Sequence, residues 1–81
     1  MDAIVRTADA LGATLRRRRR TLHLSQGSLG ESINLRQATI SALEAGTADT
    51  KLSTVMDAMA ALGLELVVRP RSTVTDVEAL F

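Results

Sequence analysis

Residues 24–46 read LSQGSLGESINLRQATISALEAG, and this stretch determines the fold that we expect. Leu29 and Ile33 lie four residues apart, and Ile40 and Leu43 lie three apart. Each pair therefore lies on one face of a helix. Two short helices so close together must be joined by a tight turn. The pattern predicts a helix-turn-helix, whose second helix enters the major groove of DNA in proteins of this kind.

The turn itself is marked by Asn34, between the two apolar pairs. After glycine, asparagine tolerates the left-handed backbone of a tight turn best. Gly30 precedes the turn by four residues, where two crossing helices leave little room. We expect any residue larger than alanine to clash at Gly30.

These residues resemble a known group. LSQ, the small Gly30 and the run INLRQATISALEAG are similar to the Cro and lambda-repressor (XRE-type) superfamily of DNA-binding domains. RQATIS, the single long helix after it and the strand-like LGLELVVRP resemble the HipB-type antitoxins within that superfamily, and the likeness spans roughly residues 7–70. The resemblance implies an all-α, compact domain of four to five helices. It also implies one C-terminal β-strand that pairs across a homodimer.

Composition limits the alternatives. A chain of 81 residues buries too little apolar surface to be comfortably stable alone, and without cysteine and with one histidine it has no disulfide or usual zinc site. Association is therefore expected, with no metal and no cofactor. Enzyme function is not expected, because there is no Cys–His pair and the carboxylates are scattered. Without a signal peptide or membrane-length apolar run, we expect a cytoplasmic, nucleoid-associated protein.

Charge is distributed unevenly along the chain. Residues 14–37 contain six arginines and only one acidic residue, Glu31, whereas the net charge of the whole chain is +1. A basic segment beside a neutral-to-acidic remainder is typical of a small nucleic-acid-binding protein. The alternative is that residues 16–20, five consecutive arginines, form only a solvated surface.

The first helix is predicted to run from an N-cap at Thr7 to about Leu22. Its apolar stripe consists of Leu11, Leu15 and Leu22, and at helical spacing Arg16, Arg17 and Arg20 point away from that stripe. Arg18 and Arg19 flank it on opposite sides. We expect the Arg18 stem to cover the core edge while its head reaches water. His23 is predicted to cap the end of the helix.

The resemblance also assigns two side-chain pairs. The position of Arg19 forms an ion pair in the superfamily with the glutamate that closes the recognition helix, here Glu44. Glutamines at the positions of Gln26 and Gln37 bond each other while the second one reads a base. Both pairs of residue types are present in this chain.

The remaining helices are predicted from the residue types at their two ends. Ser25 should cap the second helix, which Gln26 opens. The third should run from about Arg36 to Ala45 and end at Gly46, with an incomplete cap because arginine replaces the usual serine or threonine. A fourth should start at Asp49 or Thr50 and stop at Gly63, and its periodic apolar residues are predicted to be core: Leu52, Val55, Met56, Met59 and Leu62.

After the fourth helix, residues 64–69 alternate and end at Pro70, which predicts a strand with Leu64, Leu66 and Val68 on one face and Val67 on the other. A lone strand leaves its backbone groups unpaired, so its expected partner is the same strand of a second copy. Residues 1–70 then form the DNA-binding domain, and residues 71–81 a mobile tail. The tail carries Val74, Val77, Leu80 and Phe81, which would form one apolar face in a helix. It either fills a gap in its own dimer or has no role, or else, as the resemblance suggests, it docks on the toxin or presents a handle for a protease.

DNA recognition is the chemistry that the side chains support. Bases are expected to be contacted by the third helix, through Arg36, Gln37, Ala38 and Ser41. Phosphates and register are expected to be held by Arg16, Arg17, Gln26, Ser28 and Thr39. The partner is therefore double-stranded DNA with an inverted-repeat operator.

Two functional classes remain open. The first is an antitoxin that represses its own operon and neutralises a HipA-like kinase toxin, as the resemblance implies. The second is a free-standing repressor of the phage or plasmid type, without a toxin. A purely protein-binding adaptor would leave the arginine and glutamine pattern without a purpose. A kinase-like reading frame beside the gene would favour the first class.

Overall fold

A computed structural model of the chain describes residues 2–47 and 49–71, which form four helices. Helix α1 spans Ala8–Thr21, α2 Gln26–Ser32, α3 Gln37–Glu44 and α4 Leu52–Ala61. Helix α2 packs against both α3 and α4, and α1 packs against α3. The expected all-α fold is confirmed, and α2 and α3 form the expected helix-turn-helix.

The first two helices begin at the expected caps. The hydroxyl of Thr7 accepts a hydrogen bond from Ala10 N at 3.0 Å, and that of Ser25 accepts one from Ser28 N at 3.0 Å. Helix α3 has Arg36 as its N-cap and no side-chain cap bond, as its sequence predicts. The expected start of α4 at Asp49 or Thr50 is wrong.

Lys51 is the N-cap of α4 instead, and its side chain makes no cap bond. Thr50 lies in the loop before α4, and its hydroxyl donates to the Thr47 carbonyl at 3.2 Å. The helix therefore begins at Leu52, two residues after Thr50.

All four helices end in the same backbone motif. In each, a residue with positive φ follows the last turn, and the next amide bonds back to a carbonyl five residues earlier: His23, Asn34, Gly46 and Gly63. This is a Schellman motif, which satisfies carbonyls that a helix end would otherwise leave unpaired. The expected cap at His23 and the expected left-handed turn residue at Asn34 are confirmed.

Gly30 is more restricted than the sequence predicts. The Leu35 amide donates to the Gly30 carbonyl at 2.7 Å, which folds the chain back over the glycine. A Cβ atom at Gly30 would lie 2.5 Å from the Leu35 carbonyl oxygen. Even alanine, which we expected the site to accept, would therefore force the backbone of the turn to move.

The core lies between the helices and is aliphatic. Its buried members are Leu15, Leu29, Ile40, Leu43, Val55, Ala58, Met59 and Leu62. The prediction that Leu52 and Met56 belong to the core is wrong, because they are 67% and 44% exposed. The face of α4 that packs on the core includes Val55 and the fully buried Ala58. Leu52 and Met56 lie at the edge of this face and are turned toward solvent. Leu22 is likewise 39% exposed, at the edge of the α1 stripe.

Residues 64–71 leave α4 without forming a further helix, and residues 2–47 and 49–71 contain no β-strand. Leu64 packs on the core, whereas Leu66, Val67 and Val68 are 52%, 68% and 90% exposed. The predicted tail contacts at Val74, Val77, Leu80 and Phe81 lie outside the described residues. None of the four helices is long and apolar enough to cross a membrane.

Candidate DNA-binding surface

The first turns of α3 present a group of exposed polar side chains. Arg36, Gln37, Ala38 and Ser41 are exposed, and Thr39 is half-buried. Gln37 and Ser41 lie one turn apart on the same side of the helix. The absence of a cap bond at Arg36 leaves the backbone N–H groups of the first α3 turn without a side-chain acceptor. An anion or a base edge can therefore complete this helix end.

The start of α2 lies beside this surface. The Gln37 Nε2 atom donates to Gln26 Oε1 over 3.5 Å, a long hydrogen bond. Ser25 and Ser28 occupy the same helix start, with their hydroxyl oxygens 3.0 Å apart. The structure thus brings the first turns of α2 and α3 together, as the helix-turn-helix pattern predicts.

Behind these side chains lies a buried ion pair. Arg19 Nε and Nη2 donate to Glu44 Oε2 and Oε1 at 2.7 and 3.0 Å, so the pair is bidentate. Its side chains are only 9% and 4% exposed. Arg19 Nη1 also donates to the Leu24 carbonyl at 2.7 Å, which ties α3 to α1 and to the loop before α2.

The ion pair is continuous with the glutamines. Gln26 Nε2 donates to Glu44 Oε1 at 3.2 Å, and Gln26 Oε1 accepts from Gln37. A chain of hydrogen bonds therefore runs from Arg19 through Glu44 and Gln26 to the exposed Gln37. The two end pairs were expected from the family resemblance, but the middle bond was not. Only the packing of α2 against the end of α3 brings Gln26 to Glu44.

Within this chain of hydrogen bonds, Arg19 and Glu44 each stabilise the charged form of the other. Burial alone would raise the pKa of Glu44, but hydrogen bonds from Arg19 and Gln26 and the positive charges of Arg19 and Arg16 outweigh it and lower that pKa. The hydrogen bond to Glu44 raises the pKa of Arg19 against the opposing effect of burial. Glu44 is therefore an ionised carboxylate at neutral pH, which accepts hydrogen bonds and donates none.

The other arginines of α1 separate into two groups. Arg16, Arg17 and Arg20 are exposed, as expected, and surround a shallow cleft with Ala13 and Thr21. Arg18 is half-buried, and its head makes a bond that the sequence does not predict: Nε donates to the Leu62 carbonyl at 2.9 Å. That carbonyl belongs to the end of α4, where a cation is also favoured by the helix dipole.

Comparison with known proteins places these features in a family. The helix-turn-helix domain model matches residues 10–72. No curated protein sequence matches the chain. Among solved structures, HipB in complex with an O4 20mer superposes with a TM-score of 0.82 at 22% identity, covering 88% of this chain and 100% of that one.

Two further HipB structures give the same result. A HipB variant in complex with an O2 20mer has a TM-score of 0.82, and a complex of HipA, HipB, O2 and O3 has 0.81, both at 22% identity. They cover 89% and 88% of this chain, and each is covered completely. The chain therefore belongs to the helix-turn-helix domain family, a class of non-enzymatic DNA-binding regulators, and has the fold of HipB.

Proposed function

We propose that the protein is a sequence-specific transcriptional repressor that binds an inverted-repeat operator as a homodimer. The observation that carries this proposal is the exposed Gln37 at the start of α3, bonded to Gln26 of α2. A glutamine amide forms two hydrogen bonds to the edge of adenine, and a side chain already oriented by a neighbouring amide loses less freedom on binding. Arg36 is suited to guanine, and Ala38 to the methyl group of thymine.

Phosphate contacts surround this base-reading group. Arg16 and Arg17 are exposed on α1, and Arg16 is close enough to Glu44 to lower its pKa. Gln26, Ser28 and Thr39 supply further donors at the starts of α2 and α3. Such contacts fix the register of a protein on DNA without reading sequence.

The homodimer is assigned to residues 64–69. Leu66, Val67 and Val68 are exposed apolar residues in a segment that has no strand partner among the described residues. Pairing with the same segment of a second copy satisfies its backbone groups and covers these side chains. The dimer then presents two copies of α3 to two half-sites.

Within this class we propose an antitoxin of the HipA/HipB type, which represses its own operon and neutralises a kinase toxin. The support is the likeness of fold to HipB, including HipB in its complex with HipA. A free-standing repressor of the phage or plasmid type remains the second candidate. Its support is that the α2–α3 surface is suited to DNA binding without a toxin partner.

One selection experiment tests DNA recognition. The protein is incubated with a pool of duplexes of randomised sequence, and the retained duplexes are sequenced. The proposal predicts an inverted repeat whose half-sites lie about one helical turn, or a multiple of it, apart. Retention of duplexes without any enriched sequence would contradict it.

The toxin is tested separately. The chain is co-expressed with the kinase-like protein encoded beside its gene, if there is one. Co-purification of the two, with loss of the kinase's toxicity, supports the antitoxin assignment. A neighbourhood without such a reading frame favours the free-standing repressor.

A further inference from the structure

Glu44 lies between a structural contact and a recognition contact. Its Oε2 atom accepts from Arg19 alone, whereas its Oε1 atom accepts from both Arg19 and Gln26, at 3.0 and 3.2 Å. The side chain is 4% exposed, so water does not compete for these positions. A glutamate that served only the ion pair would need no bond to Gln26.

The carboxylate gives this hydrogen-bond chain a direction. Because Glu44 only accepts, Gln26 must turn Nε2 toward it and Oε1 toward Gln37. Gln37 must then turn its own Nε2 toward Gln26, which is the orientation observed. An amide can be exchanged with its mirror orientation by a half-turn of its last torsion, and the carboxylate selects one of the two.

The selected orientation fixes what Gln37 presents to DNA. One N–H of Nε2 is directed at Gln26 Oε1, which lies 3.5 Å from Nε2, so the second N–H and Oε1 form the outward edge, in one spatial order. Adenine offers its N6 donor and N7 acceptor to that order. Guanine offers O6 in place of N6, and two oxygens then face each other. In the opposite order, Gln37 would lose both bonds to adenine, whereas it would keep one to guanine, from Nε2 to O6.

We propose that Glu44 is a positioning residue for base readout, which fixes through Gln26 the donor–acceptor order of Gln37 and thereby selects adenine over guanine. This inference rests on the proposed DNA-binding function. It differs from a structural role of the ion pair because it predicts a change in base preference, and the change must pass through Gln26.

The first test needs no DNA. The side-chain amide resonances of Gln37 are recorded by NMR in wild type, Glu44→Gln, Gln26→Met and the double variant. The proposal predicts that Glu44→Gln shifts the Gln37 amide in the wild-type background and leaves it unmoved when Gln26 is methionine. Equal shifts in the two backgrounds would overturn the proposal. Because the protein is free, this outcome is independent of whether it binds DNA.

The second test measures preference. Affinities of the same four proteins are compared for the duplex selected by the wild type and for its variant with guanine at the adenine read by Gln37. A bidentate contact discriminates by about five-fold or more, and we expect Glu44→Gln to reduce that discrimination when Gln26 is present and to leave it unchanged in Gln26→Met. Glu31→Gln, which removes the same charge from an exposed site on α2, should keep it. Unchanged discrimination in Glu44→Gln would overturn the proposal.

Gln26→Lys covers the case in which Glu44→Gln fails to fold. This variant leaves Arg19 and Glu44 in place, but lysine only donates, so Gln37 must turn Oε1 inward. We expect its preference for adenine over guanine to fall by about five-fold or more, or to reverse. A preference equal to that of the wild type would show that the direction of the hydrogen-bond chain does not set the base.

Discussion

Arg18 and Arg19 are neighbours in the sequence, yet they bind different parts of the fold. Arg19 holds Glu44 and the Leu24 carbonyl, whereas Arg18 holds the Leu62 carbonyl at the end of α4. Arg16, on the solvent side, contributes charge near Glu44. A run of identical residues therefore serves the core edge, a helix end and the surface, because successive helical residues point about 100° apart.

The ion pair gives the first prediction. Removing one partner of a buried pair leaves an uncompensated charge and costs about 3–5 kcal/mol, whereas an exposed pair is worth under about 1 kcal/mol. We expect Arg19→Ala and Glu44→Ala to fall in the first range and to be strongly coupled. Urea denaturation of both variants and the double variant measures this. A coupling free energy near zero would contradict the buried ion pair and show that Arg19 is a solvated surface arginine.

The lowered pKa of Glu44 gives a prediction for pH. A carboxyl group whose pKa is lower in the folded state stabilises the fold above its unfolded pKa, and this contribution is lost as the pH falls through the folded value. The wild type should therefore lose its advantage over Glu44→Gln as the pH falls below about 4.5, the ordinary value for glutamate. Denaturation of both proteins from neutral to acid pH measures the difference. A difference that does not change with pH would contradict the assignment.

The arginines also show where sequence reasoning stops. Arg19 and Glu44 were paired through a family resemblance, because two residues on separate helices have no spacing that predicts contact. The bond of Arg18 was not predicted, because its acceptor is a backbone carbonyl 44 positions away in the sequence. The bond from Gln26 to Glu44 was missed for the same reason. When the partner of a polar side chain lies on another helix, the contact can be predicted only from the way the helices pack, and not from the sequence pattern.

At the level of helices, the residue types at the ends predicted every helix end and all the starts except that of α4. Asn34, Gly46 and Gly63 are residue types that adopt a left-handed backbone readily, and each ends a helix. The start of α4 was misplaced because Thr50 is a good cap by residue type, whereas the structure has Lys51, which makes no side-chain cap bond, as the N-cap. Leu52 and Met56 were misplaced because periodicity gives the angle between residues and not the direction of the neighbouring helix.

The turn between α2 and α3 gives a prediction with an internal control. A Cβ at Gly30 would lie 2.5 Å from the Leu35 carbonyl oxygen, whereas a Cβ at Gly27 would meet only the Ser25 hydroxyl at 3.8 Å. Gly30→Ala should destabilise the protein by about 1–3 kcal/mol through overpacking. Gly27→Ala should instead stabilise it by about 0.5–1 kcal/mol, since alanine favours a helix. Thermal denaturation compares the two, and equal effects would contradict the assigned crowding at Gly30.

For the whole molecule, the question is what covers residues 64–69. Val67 and Val68 are more than half exposed, and proline at the centre of a paired segment removes a backbone donor. Val67→Pro should therefore be monomeric or unfolded at micromolar concentration in sedimentation experiments. Val67→Ala retains the backbone N–H and should remain dimeric. A folded and fully dimeric Val67→Pro protein would place the interface elsewhere.

The measurement that tests the central claim most directly compares Gln37→Ala with Arg16→Ala on the selected operator and on its single-base-pair variants. Removing a base-reading side chain and removing a phosphate-binding side chain change DNA affinity in different ways. Gln37→Ala should cost about 1–3 kcal/mol and relax preference at one base pair, while Arg16→Ala should weaken all duplexes alike and lower the salt slope by about one. Equal affinity of the wild type for every duplex would contradict sequence-specific recognition by α3.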